Sequence, residues 1–217
     1  MNLSELLPQP TDRASLFGMT GSGKTTLARY LLELRGNIPI LIFDWKGLID
    51  WKGYDRYRKL DKFIDAHPTR GIYAPDYTEN SKPEFHNWFF KYCFFRKGPR
   101  QVYVDEVARV TNGNELPEFY HACLTQGRER RLSLFNSAQR PIDVPQVILS
   151  EAENSYVFSL QMEQDRVKIQ NTFGIDRDKL KPWDEATGRV GLPKRHFFYK
   201  HIERGAQGPF VLNLKGH

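Results

Sequence analysis

A lysine and two threonines closing a glycine-rich turn form a phosphate-binding device, and Gly18, Met19, Thr20, Gly21, Ser22, Gly23, Lys24, Thr25 and Thr26 spell it in full. The pattern G-x-x-x-x-G-K-[ST] is matched at every fixed position. Glycines admit backbone angles that a Cβ forbids, so successive N–H groups can converge on phosphate oxygens. In this chemistry Lys24 reaches the β- and γ-phosphates and the Thr25 hydroxyl ligates Mg²⁺. The residues predict a nucleoside triphosphate site.

A second group decides what is done with the triphosphate. Val102-Tyr103-Val104 leads into Asp105 and Glu106, two acids at the C-terminal end of an apolar strand, where ligands bind in open α/β sheets. Asp105 is expected to hold Mg²⁺, and Glu106 to orient or deprotonate the attacking water. The adjacent glutamate favours hydrolysis over phosphoryl transfer to a small acceptor, and no N-K-x-D guanine motif is present. Gln139, at the end of a later strand, suits a γ-phosphate sensor that also holds water. Arg128, Arg130 and Arg131 lie upstream of that strand. They fit three uses: a phosphate-stabilising finger, a DNA-backbone contact, or a solvated helix end favoured by the helix dipole.

Positioning these groups requires alternating strands and helices. Ser15–Phe17 reads as a strand before the loop, and Leu27, Ala28, Leu31 and Leu32 mark one face of a helix after it, ending near Gly36. Residues 38–43 form an uninterrupted apolar run, as in a parallel strand buried on both faces. Residues 45–80 are mixed, with a short strand expected at Gly71–Tyr73. Ser81 to Glu84 reads as a capping box with proline in the first turn, opening a helix with a core stripe of Phe85, Trp88, Phe89, Tyr92 and Cys93. Strands are expected at 101–106 and 132–137, with a helix around Phe119 to Leu124 between them. A more peripheral strand is expected from Asn154, then a helix from Asp165 to Phe173 closed by Gly174. The tail predicts an antiparallel hairpin from 196–199 and 209–212. The expected fold is α/β, a mostly parallel sheet flanked by helices of the P-loop, RecA-like kind. It is read as an arm (1–12) and one ATPase domain (13–217), comprising a core (13–174) and a C-terminal extension (175–217).

Composition narrows the setting. The 217 residues are 40% hydrophobic and 27% charged, ordinary for a globular chain, and the net charge of +6 allows a polyanionic partner. Cys93 and Cys123 lie in apolar helical stretches and read as buried thiols of a reducing compartment. No cysteine or histidine cluster has metal-ligand spacing. No signal peptide is apparent, and no apolar run approaches the ~20 residues that span a bilayer, so a cytoplasmic protein is expected.

Taken in order, GMTGSGKTT, residues 40–47 ending Asp44-Trp45-Lys46-Gly47, Val102 to Glu106, and GRERRLSLFNSAQRP resemble the FtsK/HerA superfamily of DNA-pumping ATPases. Arg128 and Gln139 are eleven residues apart, as in that family, and residues 154–165 resemble its next strand and aspartate. The resemblance spans residues 14 to about 165. It implies a hexameric ring with ATP between neighbours, Lys24 and Thr25 as nucleotide clamp, and Asp105 and Glu106 as the Mg²⁺ and hydrolysis pair. It further implies Gln139 as sensor and Arg128 as an arginine finger acting in trans. Two positions depart from the pattern: Arg131 stands where relatives often have glycine, and Ala138 where they often have threonine.

The chain's length matches compact members, among them genome-packaging ATPases of tailless, internal-membrane, double-stranded DNA viruses. The expected activity is thus translocation of double-stranded DNA without regard to sequence into a preformed capsid, with a capsid-vertex or portal partner. For a virus this places it in host cytoplasm and at the packaging vertex. Lys46, Lys52, Arg56, Arg58 and Lys59 are the candidate DNA-facing residues. Alternatives are a plasmid or chromosomal translocase of the same type, a non-pumping ATP switch in complex assembly, and a small-molecule or nucleoside kinase.

Overall fold

The apolar runs that end before Gly18, at Asp44 and at Asp105 become strands of one sheet. The computed structural model describes residues 6–184 and 191–213. Its strands are β1 (Arg13–Phe17), β2 (Ile40–Asp44), β3 (Asp55–Tyr57), β4 (Arg70–Tyr73), β5 (Arg100–Asp105), β6 (Leu132–Ala138), β7 (Asn154–Val157), β8 (His196–His201) and β9 (Gly205–Val211). The helices are α1 (Lys24–Glu33), α2 (Leu60–Ala66), α3 (Tyr77–Asn80), α4 (Pro83–Phe95), α5 (Glu118–Gln126), α6 (Gln146–Ser150) and α7 (Glu163–Phe173). The sheet order is β3-β4-β2-β5-β6-β1-β7-β8-β9. Strands β1 to β7 pair in parallel, and β8 and β9 add antiparallel, as the expected hairpin.

The period of two along each strand sorts side chains between two cores. Leu41 and Phe43 of β2 enter the layer formed with α4, α5 and α7, while Ile40 and Ile42 enter the layer formed with α1. The same alternation places Val102 and Val104 of β5 on one face and Tyr103 on the other. Burial on both faces explains why these strands read as continuous apolar runs.

Several local expectations are corrected. Strand β7 is interior rather than peripheral: it pairs with β1 and β8, and all four of its residues are buried. The mixed region also contains β3 and α2, too short to show periodicity. The Ser81 capping box does not form. Asp76 instead caps α3 by accepting from the Thr78 and Glu79 N–H groups, Ser81 ends that helix, and α4 starts at Pro83 after Lys82. The aromatic stripe is core, rotated by one position: His86, Phe89, Phe90, Cys93 and Phe94 are buried, whereas Trp88 is 48% exposed. Cys93 and Cys123 are buried free thiols. The described part of the arm is docked, with Leu6 buried and its carbonyl accepting from the Tyr156 hydroxyl.

His86 packs edge-on against Phe43 and Trp45, and its Nε2 lies 3.1 Å from the Asn80 carbonyl, which requires a protonated Nε2. Burial holds its pKa below the ordinary 6.5. The unfolded chain therefore binds the additional proton more readily, so this contribution to stability is present above pH 6.5 and is lost as pH falls through the folded-state value. Thermal denaturation from pH 7 to 5 should show a steeper loss of Tm in the wild type than in His86→Gln; equal slopes would exclude this linkage.

Candidate active site

Strand β1 delivers the phosphate loop to the C-terminal edge of the sheet. Phe17 is in register with Ala138 of β6 and Val157 of β7, and the chain then turns at Gly18. A Cβ on Gly18 would lie 2.6 Å from the Phe158 Cβ, so only glycine fits. Gly23 takes φ +114 as the N-cap of α1 and provides no capping side chain. The helix begins with uncapped N–H groups and no acid in its first turn, conditions that favour an anion. Lys24 folds back over the loop, its Nζ donating to the carbonyls of Gly18 (2.6 Å) and Met19 (3.1 Å). Burial lowers its pKa to about 8, against the opposing pull of Glu106 and Asp105. A cation this poorly hydrated gains from an anionic ligand.

The two acids lie on the adjoining strands. Asp105 ends β5 in register with Asp44 of β2. Its Oδ1 accepts from the hydroxyls of Ser137 (2.9 Å) and Tyr103 (3.1 Å). Burial nevertheless holds its pKa above the ordinary aspartate value, with the Ser137 bond acting in the opposite direction. The Tyr103 and Ser137 hydroxyls lie 3.1 Å apart, closing a three-membered network around the acid. A half-buried carboxylate and a threonine hydroxyl are hard oxygen donors suited to Mg²⁺, which ordinarily completes its shell with phosphate oxygens and water. Among the described residues no cluster of three or more His, Cys, Asp or Glu forms a self-sufficient metal site. The donor set thus fits a metal that arrives with nucleotide.

Glu106 takes a left-handed backbone, φ 57, and is 8% exposed. Such a conformation costs a non-glycine residue about 1–2 kcal/mol and marks a position held by its surroundings. Here its N–H donates to Ser137 Oγ (3.4 Å), its Oε1 accepts from the Gln139 backbone N–H (3.1 Å), and its Oε2 accepts from Lys46 Nζ (2.9 Å). The structure therefore brings Lys24, Thr25, Asp105, Glu106 and Gln139 to one edge. Gln139 touches Glu106 through its main chain, and its side chain is half-buried. Sequence reasoning missed Ser137, which serves both acids; its only sign was a hydroxyl at the end of an apolar strand. Lys46 reaches the site through Glu106 and keeps its side chain 33% exposed. Lys52, Arg56, Arg58 and Lys59 are solvent-accessible, with Lys59 paired to Asp76 at 2.7 Å.

Arg128 is not at this edge. It precedes β6, whereas Gln139 comes after it, and seven strand residues span roughly 23 Å. Its guanidinium donates to Glu153 Oε1 at 2.8 Å and remains 59% exposed. Glu153 is itself anchored by the backbone N–H and guanidinium of Arg13. Arg130 lies over Phe94, 4.1 Å from the ring centroid. Arg131 takes φ 54, which accounts for glycine being suited to that position. Farther along, Asp165 fixes the Gln139-Arg140-Pro141 segment by accepting from Arg140 Nε (2.6 Å) and the Ile142 N–H (3.0 Å). The C-terminal extension reaches the loop as well. The Arg195 N–H donates to the Ser22 carbonyl at 3.2 Å, and a cavity of about 230 Å³ separates Met19 to Ser22 from Trp183 and Pro193.

Residues 11–81 match the family described as Helicase HerA, central domain. The DNA packaging ATPase P9 of Enterobacteria phage PRD1 is 28% identical over 180 residues, covering 80% of this chain and 75% of its own. The chain is an ATP-hydrolysing P-loop enzyme, similar to ATPases of the FtsK/HerA type. In fold, the chain is similar to the genome packaging NTPase B204 of Sulfolobus turreted icosahedral virus 2 in complex with AMPPCP. That likeness has TM-score 0.73 at 16% identity, covering 94% of this chain and all of the other. VirB4 of Thermoanaerobacter pseudethanolicus shares the fold with TM-score 0.63 at 11% identity, covering 94% and 90%.

In a site of this geometry, Glu106→Gln should bind ATP with near wild-type affinity while turnover falls by about 10²-fold or more. Equilibrium binding of a fluorescent ATP analogue beside phosphate-release kinetics checks both. Unchanged turnover would remove Glu106 from the hydrolytic step.

Proposed function

We propose that this ATPase couples hydrolysis to sequence-independent translocation of double-stranded DNA, packaging a viral genome into a preformed capsid. The observation that carries the reading is the division of one hydrolytic set between opposite edges of the sheet. Lys24, Asp105 and Glu106 stand at one edge, and Arg128 stands at the other. Arg128 cannot reach its own phosphate loop across the length of β6, so it serves a neighbour's, and ATP sits between subunits. The resemblance to the family supports a hexameric ring. The packaging ATPase P9 and the packaging NTPase B204 support DNA as substrate and a virion vertex as the place of work.

Each residue has a role in this scheme. The N–H groups of the phosphate loop and Lys24 hold the β- and γ-phosphates. Thr25 and Asp105 hold Mg²⁺, which, when bound, neutralises charge on the phosphate oxygens. Glu106 orients and deprotonates the attacking water, Gln139 senses the γ-phosphate, and the neighbour's Arg128 stabilises the transferring group. Arg128 is favoured over Arg130 as the finger because it stands eleven residues before Gln139, the separation that the resemblance to the family implies. The net charge of +6 suits phosphate contacts that ignore base identity. Among the described residues no helix is long and apolar enough to cross a membrane.

Duplex DNA should raise the steady-state ATPase rate several-fold at low salt, and the stimulation should fall steeply as salt rises. Turnover measured beside oligomeric mass by light scattering checks this. No effect of DNA on rate or binding at low salt would exclude the translocase reading and leave the ATP-switch alternative. Arg128→Ala should bind ATP yet be inactive, and mixing it with Lys24→Ala subunits should restore part of the activity. Mixed assemblies of confirmed mass that stay inactive would count against a finger acting in trans.

A further inference from the structure

The turn carrying Lys46 joins two places that the proposed function keeps separate, the hydrolytic carboxylate and the basic surface. Asp44 is wholly buried, and its Oδ1 and Oδ2 accept from the Gly47 N–H (2.9 Å) and the Ile49 N–H (2.7 Å). These bonds curl the chain tightly after β2, with Gly47 at φ +65. Because β2 and β5 pair with Asp44 opposite Asp105, the curl directs Lys46 at the residue after Asp105. The Lys46–Glu106 contact is 2.9 Å, with the Glu106 side chain only 10% exposed.

The other side of the same turn rests on guanidinium groups. Arg56 donates to the carbonyls of Gly47 and Ile49, and its nearest carboxylate, that of Asp44, is 3.7 Å away. Arg58 Nη1 lies 3.1 Å from the point where a Cβ on Gly47 would stand. Arg58 is solvent-exposed and has no carboxylate partner among the described residues. Strand β3 runs parallel to β4, so Arg58 emerges at the same edge as the phosphate loop.

We infer that Lys46 is a positioning residue that restrains Glu106, and that duplex-DNA phosphates engaging Arg56 and Arg58 release it. The DNA half rests on the proposed translocase function; the restraint itself does not. The ion pair occupies one oxygen of the carboxylate and fixes its orientation, so that it is not free to turn toward the attacking water. Phosphates compete for the Arg56 guanidinium, remove its hold on the Gly47 and Ile49 carbonyls, and let the turn withdraw Lys46. Hydrolysis is thereby kept low until a polyanion is in place.

The test compares full-length wild type, Lys46→Ala, Lys46→Arg and the double variant Lys46→Ala/Glu106→Gln. ATP turnover is measured with and without a random-sequence duplex, with Tm recorded for each. Lys46→Ala should raise DNA-free kcat by about tenfold, a barrier change of ~1.4 kcal/mol, with KM for ATP little changed, and DNA should add little more. Lys46→Arg should keep the low DNA-free rate, and the double variant should be inactive, showing that the gain passes through Glu106. A DNA-free kcat of Lys46→Ala at or below wild type overturns the restraint. If alanine unfolds the protein, Lys46→Met keeps the aliphatic stem and answers the same question. Wild type stimulated by DNA, with Lys46→Ala not raised, leaves the translocase reading standing and sinks this one. A wild type indifferent to DNA overturns the release step and the translocase reading together, while a raised Lys46→Ala rate would still establish the restraint.

Discussion

The in-register parallel pairing of β2, β5, β6 and β1 is the constraint on which the rest of the molecule depends. Parallel strands all end at the same edge, so residues far apart in sequence emerge side by side. Asp44 and Asp105 are register partners, and Phe17 is opposite Ala138, which brings the phosphate loop beside Gln139. The same rule sends the residues before a strand to one edge and those after it to the other, and it holds Arg128 a full strand length from Gln139. Burial of the sheet on both faces then makes the edge a poorly hydrated place for charge. Lys24, Asp105 and Glu106 are each largely withdrawn from water and held by short bonds to loop carbonyls, hydroxyls and main-chain N–H groups.

This crowding of charge puts the whole site under electrostatic control. Several ions at the edge are balanced by another: Lys24 by the field of both acids, Glu106 by Lys46, and Asp44 by its own turn and Arg56. At the other edge, one carboxylate, Glu153, gathers Arg13 and Arg128. A nucleotide enters a lattice of opposed charges already arranged, which limits the reorganisation that binding demands.

Much of this was legible in the sequence, because the strands that carry the chemistry have no exposed face to obscure their pattern. The apolar runs before Gly18, Asp44 and Asp105 marked three strand ends, and the motifs marked what stood there. What was not legible depended on contacts between distant segments. A four-residue strand such as β7 shows no difference in sequence between an interior and a peripheral place. Ser81 had the spelling of a cap, but Asp76 captured the preceding turn first. Ser137 and the inward course of Lys46 arise from register and from the Asp44 turn, neither of which leaves a periodic trace. Likewise, the position of Arg131 in a left-handed turn is visible only in the backbone.

The burial of Lys24 couples the loop's occupancy to the protons of the solution. With its pKa lowered to about 8, part of the population carries a neutral amine in mildly alkaline buffer. A polyphosphate settling into the loop restores the ammonium, so occupation draws protons from solvent. The heat accompanying nucleotide binding then includes the ionisation heat of whatever buffer supplies them. Calorimetry in two buffers of unlike ionisation enthalpy would read the environment of this one nitrogen directly.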